Sequence, residues 1–139
     1  MGVYRIIDAN INRAKEGLRV CEEVTRFILN NRNLTAEFKE IRHRIDRVLK
    51  RLPLKKLLRD RESLKDVGKQ LYAGEIKREG CQDIFFANIQ RVKESLRVLE
   101  EFTKLINKTI AVEFKKLRYD IYEIEKRAAA KISSLSYRR

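Results

Sequence analysis

The 139-residue sequence is poor in the residues that interrupt helices, with only one proline and five glycines. An all-β architecture is excluded because its many turns need far more of both. No apolar run approaches the roughly 20 residues that a helical membrane span requires, and the opening MGVYRIIDAN lacks the apolar stretch of a signal peptide. Two cysteines, Cys21 and Cys81, make neither a disulfide framework nor a metal site, so we expect a reduced, cytoplasmic protein.

Charge is what the sequence has in abundance. Lys and Arg number 33 against 20 Asp and Glu, which gives a net charge of +13. Hydrophobic residues make up 43% of the chain, enough for a folded core in one domain. Such a basic excess indicates an anionic partner, which is nucleic acid, anionic lipid or a phosphorylated small molecule.

An internal repeat organises the chain. Residues 9–28 and 87–106 are identical at thirteen of twenty positions, and the match resumes two residues out of step between 36–45 and 112–121. We therefore predict a single helical domain over 1–131, with repeat 1 at 8–52, a central segment at 53–82 and repeat 2 at 83–130. The remaining residues, 132–139, are predicted to form a C-terminal tail.

Each repeat is predicted to form two helices joined by a short turn, so that the fold is an all-α, pseudo-twofold four-helix bundle. Asp8 is placed to cap the first helix, and Pro53 to end the second. The apolar positions recur at three- and four-residue steps; they are Ile11, Ala14, Leu18, Cys21, Thr25 and Ile28, then Leu34, Phe38, Ile41, Ile45, Val48 and Leu52, and in the second copy Ile89, Val92, Leu96, Leu99, Thr103 and Ile106, then Ile110, Phe114, Leu117, Ile121, Ile124 and Ala128.

The central segment lacks this periodicity. A short helix is predicted at 53–58, and the stretch 50–61 carries six basic residues and one acid. Asp66, followed by Gly68, is typical either of a metal–phosphate loop or of an Asx turn that needs a positive φ at glycine. A long irregular segment inside a compact domain is usually functional or disordered.

Polar side chains interrupt the broad apolar face of the first helix in both copies. Asn10 and Arg13 lie on this face in repeat 1, and Asn88 and Arg91 repeat them. Burying such groups without partners costs several kcal/mol, so either a ligand or a polar network that fixes helix register must satisfy them. The ligand interpretation predicts that both sets point into one shared cavity.

The opposite face of the same helix carries a second repeated pattern, which predicts either exposed ion pairs or a phosphate or Mg²⁺ site. The repeated residues are Asn12, Glu16, Arg19 and Glu23, matched by Gln90, Glu94, Arg97 and Glu101.

The remaining polar residues are assigned structural or surface roles. The pairs Glu22–Arg42 and Glu100–Arg118 are predicted to be structural. His43 is predicted to be an ordinary surface residue, and Cys21 to belong to the core.

A resemblance to a known family rests on RIIDANINRAKEGLRVCEE, IRHRI, RESLKDVG, ANIQRVKESLRVLEEFTK and LRYDIYEIEK. Over about residues 5–127 the chain resembles the compact hydroxymethylpyrimidine phosphate kinases. These are unrelated to the ribokinase-like enzyme of that activity and are often fused to thiamine-phosphate synthase. The positions matching the family's pattern are Asn10, Arg13, Glu16, Arg19, Glu23, Arg61, Asp66, Gly68, Asn88, Arg91, Glu94, Arg97 and Glu101.

The resemblance implies transfer of the ATP γ-phosphoryl group to the phosphate of 4-amino-5-hydroxymethyl-2-methylpyrimidine phosphate, for thiamine synthesis. On physical grounds we then expect Arg13, Arg91 and Arg61 to hold phosphates. Asp66, with Glu16 or Glu94, is expected to hold Mg²⁺. Asn10 and Asn88 are suited to hydrogen-bond the aminopyrimidine.

Two alternatives to a kinase are kept open by the sequence. One is a basic helical module that binds nucleic acid, although no stacking pattern or binding motif supports it. The other is a non-catalytic scaffold that partners thiamine-phosphate synthase. A homodimer that completes the site between chains is also compatible with the pattern.

Overall fold

The computed structural model describes residues 2–70 and 77–135 of the chain, and within them it contains helices and no strands. This confirms the predicted all-α bundle. None of the helices in these two stretches is long and apolar enough to cross a membrane. The helices are α1 (Gly2–Glu23), α2 (Arg32–Leu49), α3 (Leu54–Arg59), α4 (Cys81–Thr103) and α5 (Lys108–Leu135), with a π-helical turn at Val24–Ile28 and a 3₁₀ turn at Ser63–Lys65.

The centre of the bundle is the antiparallel pair α1 and α4. Cys21, near the end of α1, lies 3.8 Å from the carbonyl oxygen of Phe85, near the start of α4. Gly17 allows the two helices to approach closely, because a Cβ there would lie 2.7 Å from Val92 Cγ2 and 3.0 Å from the Asn88 carbonyl oxygen. The second helix of each hairpin packs alongside, α2 on α1 and α5 on α4.

The predicted apolar positions form one core. All are buried except Ile28, which is 46% exposed in the π-helical turn, and Ile106, which is partly buried. Burying a single large aliphatic or aromatic side chain contributes about 1.5–3 kcal/mol, so a contiguous core of this kind is the main source of stability. Phe38, Phe85 and Phe114 are the largest fully buried side chains.

The start of α1 corrects the predicted helix cap. Asp8 does not cap α1, because the helix already begins at Gly2 and Asp8 lies inside it. Asn31 and Asn107 are the residues that cap their helices: Asn31 Oδ1 accepts from the Leu34 N–H at 2.9 Å, and Asn107 Oδ1 accepts from the Thr109 and Ile110 N–H groups.

The predicted tail is also partly wrong. Helix α5 continues through Leu135, since Ile132 is buried in the core and 1% exposed, and residues 136–139 lie outside the described residues. The predicted short helix after Pro53 is confirmed as α3, which buries Leu57. The rest of the central segment runs as turns and bends to Gly80, with 71–76 outside the described residues.

Candidate functional site

An ion pair fastens the central segment to α1. Arg61 donates from Nε to Asp8 Oδ2 and from Nη2 to Asp8 Oδ1, both at 2.7 Å. Asp8 is only 8% exposed, and its hydrogen bonds and charge raise the pKa of the Arg61 guanidinium. A bidentate arginine–carboxylate pair fixes direction as well as distance. The chain after α3 is thereby held against the first half of α1.

The segment that follows folds into a compact turn. Asp66 Oδ1 accepts from the Gly68 N–H at 2.8 Å, and Lys69 Nζ donates to the Leu64 carbonyl oxygen at 2.7 Å. This is the Asx turn that the sequence left as an alternative. Its expected positive φ is absent, since no described glycine has one. These two hydrogen bonds give this part of the central segment a defined local conformation.

Between α1 and this turn lies a cavity of about 640 Å³. Five predicted site residues line it: Asn10, Arg13 and Glu16 from α1, with Arg61 and Asp66 from the central segment. The other lining residues are Gly2, Arg5, Ile6, Asp8, Ala9, Asn12, Glu62 and Ser63.

Asn10 is held in place by its own helix. Its Nδ2 donates to the Ile6 carbonyl oxygen at 2.8 Å, and the residue is only 5% exposed. This leaves Oδ1 without a donor among the described residues. Arg13 and Glu16 are exposed and make no side-chain hydrogen bond or ion pair within the described chain. An open acceptor, a free guanidinium and a free carboxylate thus line the same cavity.

The charges of the cavity suit a phosphate accompanied by a cation. Three arginines, Arg5 among them, and four carboxylates line it. In the described part of the chain no group of three or more His, Cys, Asp and Glu side chains could hold a metal ion. Mg²⁺ does not need one, because it is commonly held by one or two carboxylates together with substrate phosphates. Asp66 and Glu16 fit that pattern.

The second copy of the motif is placed differently. Asn88 repeats the helix bond, donating from Nδ2 to the Ile84 carbonyl oxygen at 2.8 Å. Arg91 and Glu94 are exposed, and neither these two nor Asn88 is among the residues that line the cavity. The structure therefore does not bring the two Asn–Arg sets into one cavity in the residues it describes.

The remaining predicted residues of the first copy form an ionic cluster. Glu22, 3% exposed, accepts from Arg42 Nε at 2.8 Å and from Arg42 Nη2 at 3.2 Å. Arg19 pairs with Glu22 and Glu23 at 3.4 Å each. The predicted structural role of Glu22–Arg42 is confirmed, and Arg19 and Glu23 make the helix-neighbour ion pairs that the sequence offered as one alternative.

The second copy repeats this cluster with one difference. Glu100, 5% exposed, accepts from Arg118 Nη2 at 3.2 Å, and Arg97 contacts Glu100 and Glu101 at 3.0 and 3.3 Å. Arg118 Nε, unlike its equivalent in the first copy, is buried without a hydrogen-bond partner in the described residues.

Neither His43 nor Cys21 lines the cavity around Arg13. His43 is exposed, as predicted. Cys21 is buried, and desolvation, with a smaller contribution from the charge of Glu125, raises the pKa of its thiol to about 12. A thiol that remains protonated is a poor nucleophile, which confirms the predicted core role.

Sequence reasoning missed the importance of Asp8, which it took for a helix cap. One signal for it was available in the repeat. Position 8 corresponds to position 86 in the second copy, where the residue is Phe86. A charged residue in one copy, matched by an aromatic residue in the other, indicates that Asp8 has an ionic partner specific to the first copy. That partner is Arg61.

Comparison with known proteins identifies the family. The model of the ThiD2 family matches residues 5–127, so the chain belongs to that family. It is 42% identical over 124 residues to the thiamine-phosphate synthase of Nostoc punctiforme, covering 88% of this chain and 34% of that protein. It is 43% identical over 124 residues to that of Synechocystis sp., with 88% and 35% covered.

A third relative extends the match toward both ends. The chain is 36% identical over 137 residues to the thiamine-phosphate synthase of Rhodopirellula baltica, covering 98% of this chain and 36% of that protein. The chain thus spans about a third of the length of these curated relatives. No solved structure matches.

Proposed function

We propose that this chain is a kinase of thiamine biosynthesis that phosphorylates hydroxymethylpyrimidine phosphate to the diphosphate, with ATP as donor. Support comes from membership of the ThiD2 family and from relatives named thiamine-phosphate synthase. The observation that carries the proposal is the cavity that joins Asn10, Arg13 and Glu16 to Arg61 and Asp66. Arginines and carboxylates are residue types that can hold phosphates and Mg²⁺ during phosphoryl transfer.

The acceptor in this reaction is a phosphate oxygen that is already anionic. A strong general base is therefore unnecessary, and the lack of an activated His or Cys in the cavity is no obstacle. Catalysis consists mainly of positioning and charge stabilisation, both of which arginines supply. The new P–O bond forms as the bond between the β-phosphate oxygen and the γ-phosphorus of ATP breaks, and ADP leaves with the bonding electrons.

Arg13 is the main phosphate ligand in this proposal. Its guanidinium lines the cavity and is not engaged by any described residue, so all five N–H donors are available. Arg61 uses Nε and Nη2 on Asp8 and keeps Nη1 for a second phosphate. Each charge-assisted hydrogen bond of this kind contributes about 1.5–3 kcal/mol.

Asn10 is suited to orient the pyrimidine ring. Because Nδ2 is occupied by the helix, the amide presents Oδ1 as an acceptor. The exocyclic amino group of the substrate is a matching donor. Asp66 and Glu16 would hold Mg²⁺, which would neutralise part of the negative charge of the ATP phosphates and of the substrate phosphate. Asp66 keeps Oδ2 for this purpose, since its Oδ1 accepts from Gly68.

The decisive experiment is an activity assay. The purified chain is incubated with ATP, Mg²⁺ and the pyrimidine phosphate, ADP release is followed, and the product is identified by ³¹P NMR. We expect ADP release that depends on the acceptor and a diphosphate product, with the unphosphorylated alcohol as the matched control. No ADP above the acceptor-free background would contradict the kinase and favour the scaffold alternative.

A further inference from the structure

A second cavity lies where α4 passes into α5, away from the proposed kinase site. It has a volume of about 500 Å³ and shares no lining residue with the cavity around Arg13. Helix α4 and the turn after it contribute Arg97, Glu100, Glu101 and Lys104, and α5 contributes Lys108, Ala111, Val112, Lys115, Arg118 and Tyr119.

The cavity is basic, and its carboxylates are already engaged. Five cationic and two acidic side chains line it, an excess of three positive charges. Glu101 pairs with Lys104 at 3.0 Å, and this contact lowers the pKa of the carboxyl. Glu100 is engaged by two arginines. Lys108 and Lys115 have no carboxylate or other polar partner in the described chain, so their charges face the cavity uncompensated.

A buried donor in the wall of this cavity is also unsatisfied. Arg118 is 8% exposed, and its Nε is the one buried side-chain polar atom of the described residues that lacks a hydrogen-bond partner. Its Nη1 donates to Tyr122 at 2.8 Å and its Nη2 contacts Glu100. The Arg118 guanidinium also lies over two aromatic rings, with its Cζ 5.2 Å from the Tyr119 centroid and 5.7 Å from that of Tyr122. It therefore places a fixed, mostly buried positive charge in the cavity wall.

The same arrangement recurs in the first hairpin. A cavity of about 420 Å³ lies at the turn after α1 and is lined by Arg26, Arg32 and Lys39, with no acidic residue. These three positions correspond in the repeat to Lys104, Lys108 and Lys115. Two hairpins of the same origin therefore keep three cations around the groove beside the turn, although two of the three residue types differ.

The two grooves lie at opposite ends of the bundle. Since α1 and α4 run antiparallel, the turn that follows α1 is separated from the turn that follows α4 by about the length of α1, roughly 30 Å. Each groove is lined by only a few cations, five between α4 and α5 and three in the first hairpin. This geometry suits a compact anion in each groove better than a nucleic acid strand.

We propose that the groove between α4 and α5 binds the phosphate or diphosphate group of a small molecule, and that the equivalent groove of the first hairpin binds the same groups more weakly. Lys108 and Lys115 supply the uncompensated charge, and the guanidinium of Arg118 adds a fixed positive charge in the wall. The first groove is weaker because three cations line it instead of five, and Arg42, the counterpart of Arg118, is not among them. This site is additional to the proposed kinase cavity.

The test is an NMR titration of the ¹⁵N-labelled chain with inorganic diphosphate at 150 mM salt. We expect the Ala111 and Val112 amides to shift and to report one dissociation constant. The double substitution Lys108→Gln with Lys115→Gln should raise that constant at least tenfold, since two charge-assisted contacts are lost. A matched pair, Lys126→Gln with Lys131→Gln, removes the same charge outside both grooves and should change it less than twofold.

Three results would overturn the proposal. The Ala111 and Val112 amides could fail to shift at millimolar diphosphate, or the control pair could weaken binding as much as the groove pair, which would indicate general charge attraction. Binding of ATP without binding of diphosphate would show that a base, not a phosphate, is recognised. Because Asn10 and Arg13 amides report the kinase cavity separately, failure of either site is seen independently of the other.

Discussion

The two copies of the motif Asn-x-x-Arg-x-x-Glu have nearly the same sequence but different surroundings. In the first copy the central segment lies beside the motif, and the two together line an open cavity; in the second, neither Asn88, Arg91 nor Glu94 is among the residues that line it. The difference follows from one matched position. Asp8 binds Arg61, whereas Phe86 offers no charge to an arginine. Two helix faces of similar sequence are present, and the Asp8–Arg61 ion pair joins the central segment to one of them.

A second contrast concerns the buried ionic clusters. Glu22 and Arg42 form a two-pronged pair, whereas Glu100 meets only Nη2 of Arg118. The first cluster is therefore fully satisfied and the second retains an open donor. We infer that the Glu22–Arg42 cluster stabilises the fold and that the Glu100–Arg118 cluster forms part of the proposed binding groove. The substitutions below compare residues across the two copies, or compare a residue with another of the same type.

The largest effect is expected on stability from Arg42→Met. It leaves Glu22 buried with only Arg19 at 3.4 Å, and removing one partner of a buried ion pair costs about 3–5 kcal/mol. Arg118→Met should cost roughly half as much, because Arg97 still holds Glu100 at 3.0 Å and an unsatisfied donor is removed. Urea unfolding of both variants measures the difference. An equal or larger loss for Arg118→Met would break the distinction between the clusters.

The next effect concerns the ion pair that holds the central segment. Arg61→Ala should lower kcat/KM about 100-fold, since a phosphate ligand and the anchor of the turn are lost together. Arg59→Ala, which removes an exposed arginine two residues earlier, should stay within about threefold. Steady-state kinetics with the pyrimidine phosphate provide the measurement. Similar losses in both variants would mean that general positive charge, not the Asp8 contact, matters.

Gly17 and its counterpart Ser95 test the asymmetry of the helix contact. Gly17→Ala places a Cβ 2.7 Å from Val92 and 3.0 Å from the backbone of Asn88, and such overpacking costs about 1–3 kcal/mol. Ser95→Ala removes an atom from a position that already holds a side chain, and should change stability by less than about 1 kcal/mol. Thermal unfolding compares them. A Gly17→Ala variant as stable as the parent chain would show that α1 and α4 can separate without cost.

The smallest effect is expected from the thiols. Cys21, which stands where the second copy has Leu99, should not react with a thiol reagent at pH 8 until the protein unfolds, whereas the partly exposed Cys81 should react. Because burial raises the Cys21 pKa to about 12, its contribution to stability is present below pH 9 and is lost as the pH rises toward 12. In a Cys81→Ser variant, rapid labelling of the native chain would contradict the buried position.

Much of this architecture was predictable from the sequence. Apolar periodicity and the repeat were enough to predict four long helices and nearly all of the core residues, because side-chain burial follows helical spacing directly. The errors lie at the edges: Asp8 was taken for a cap, and Ile132 for part of a tail. Helix ends depend on tertiary contacts that spacing does not encode.

The sequence named the residues of the candidate site but not their arrangement. Asn10, Arg13, Glu16, Arg61 and Asp66, all predicted, line one cavity, but the expectation of one cavity shared by both copies was not met in the described chain. Which copy the central segment covers depends on the contact between Asp8 and Arg61, whose partners are 53 residues apart. Neither repeat symmetry nor local pattern reveals a pairing over that distance.

The central claim is that only the first copy of the motif carries the kinase site. The most direct test compares Arg13→Ala with Arg91→Ala in the assay with ATP, Mg²⁺ and the pyrimidine phosphate. We expect kcat/KM to fall about 100-fold for Arg13→Ala and to stay within threefold for Arg91→Ala. Equal losses in the two variants, or full activity in both, would contradict the assignment.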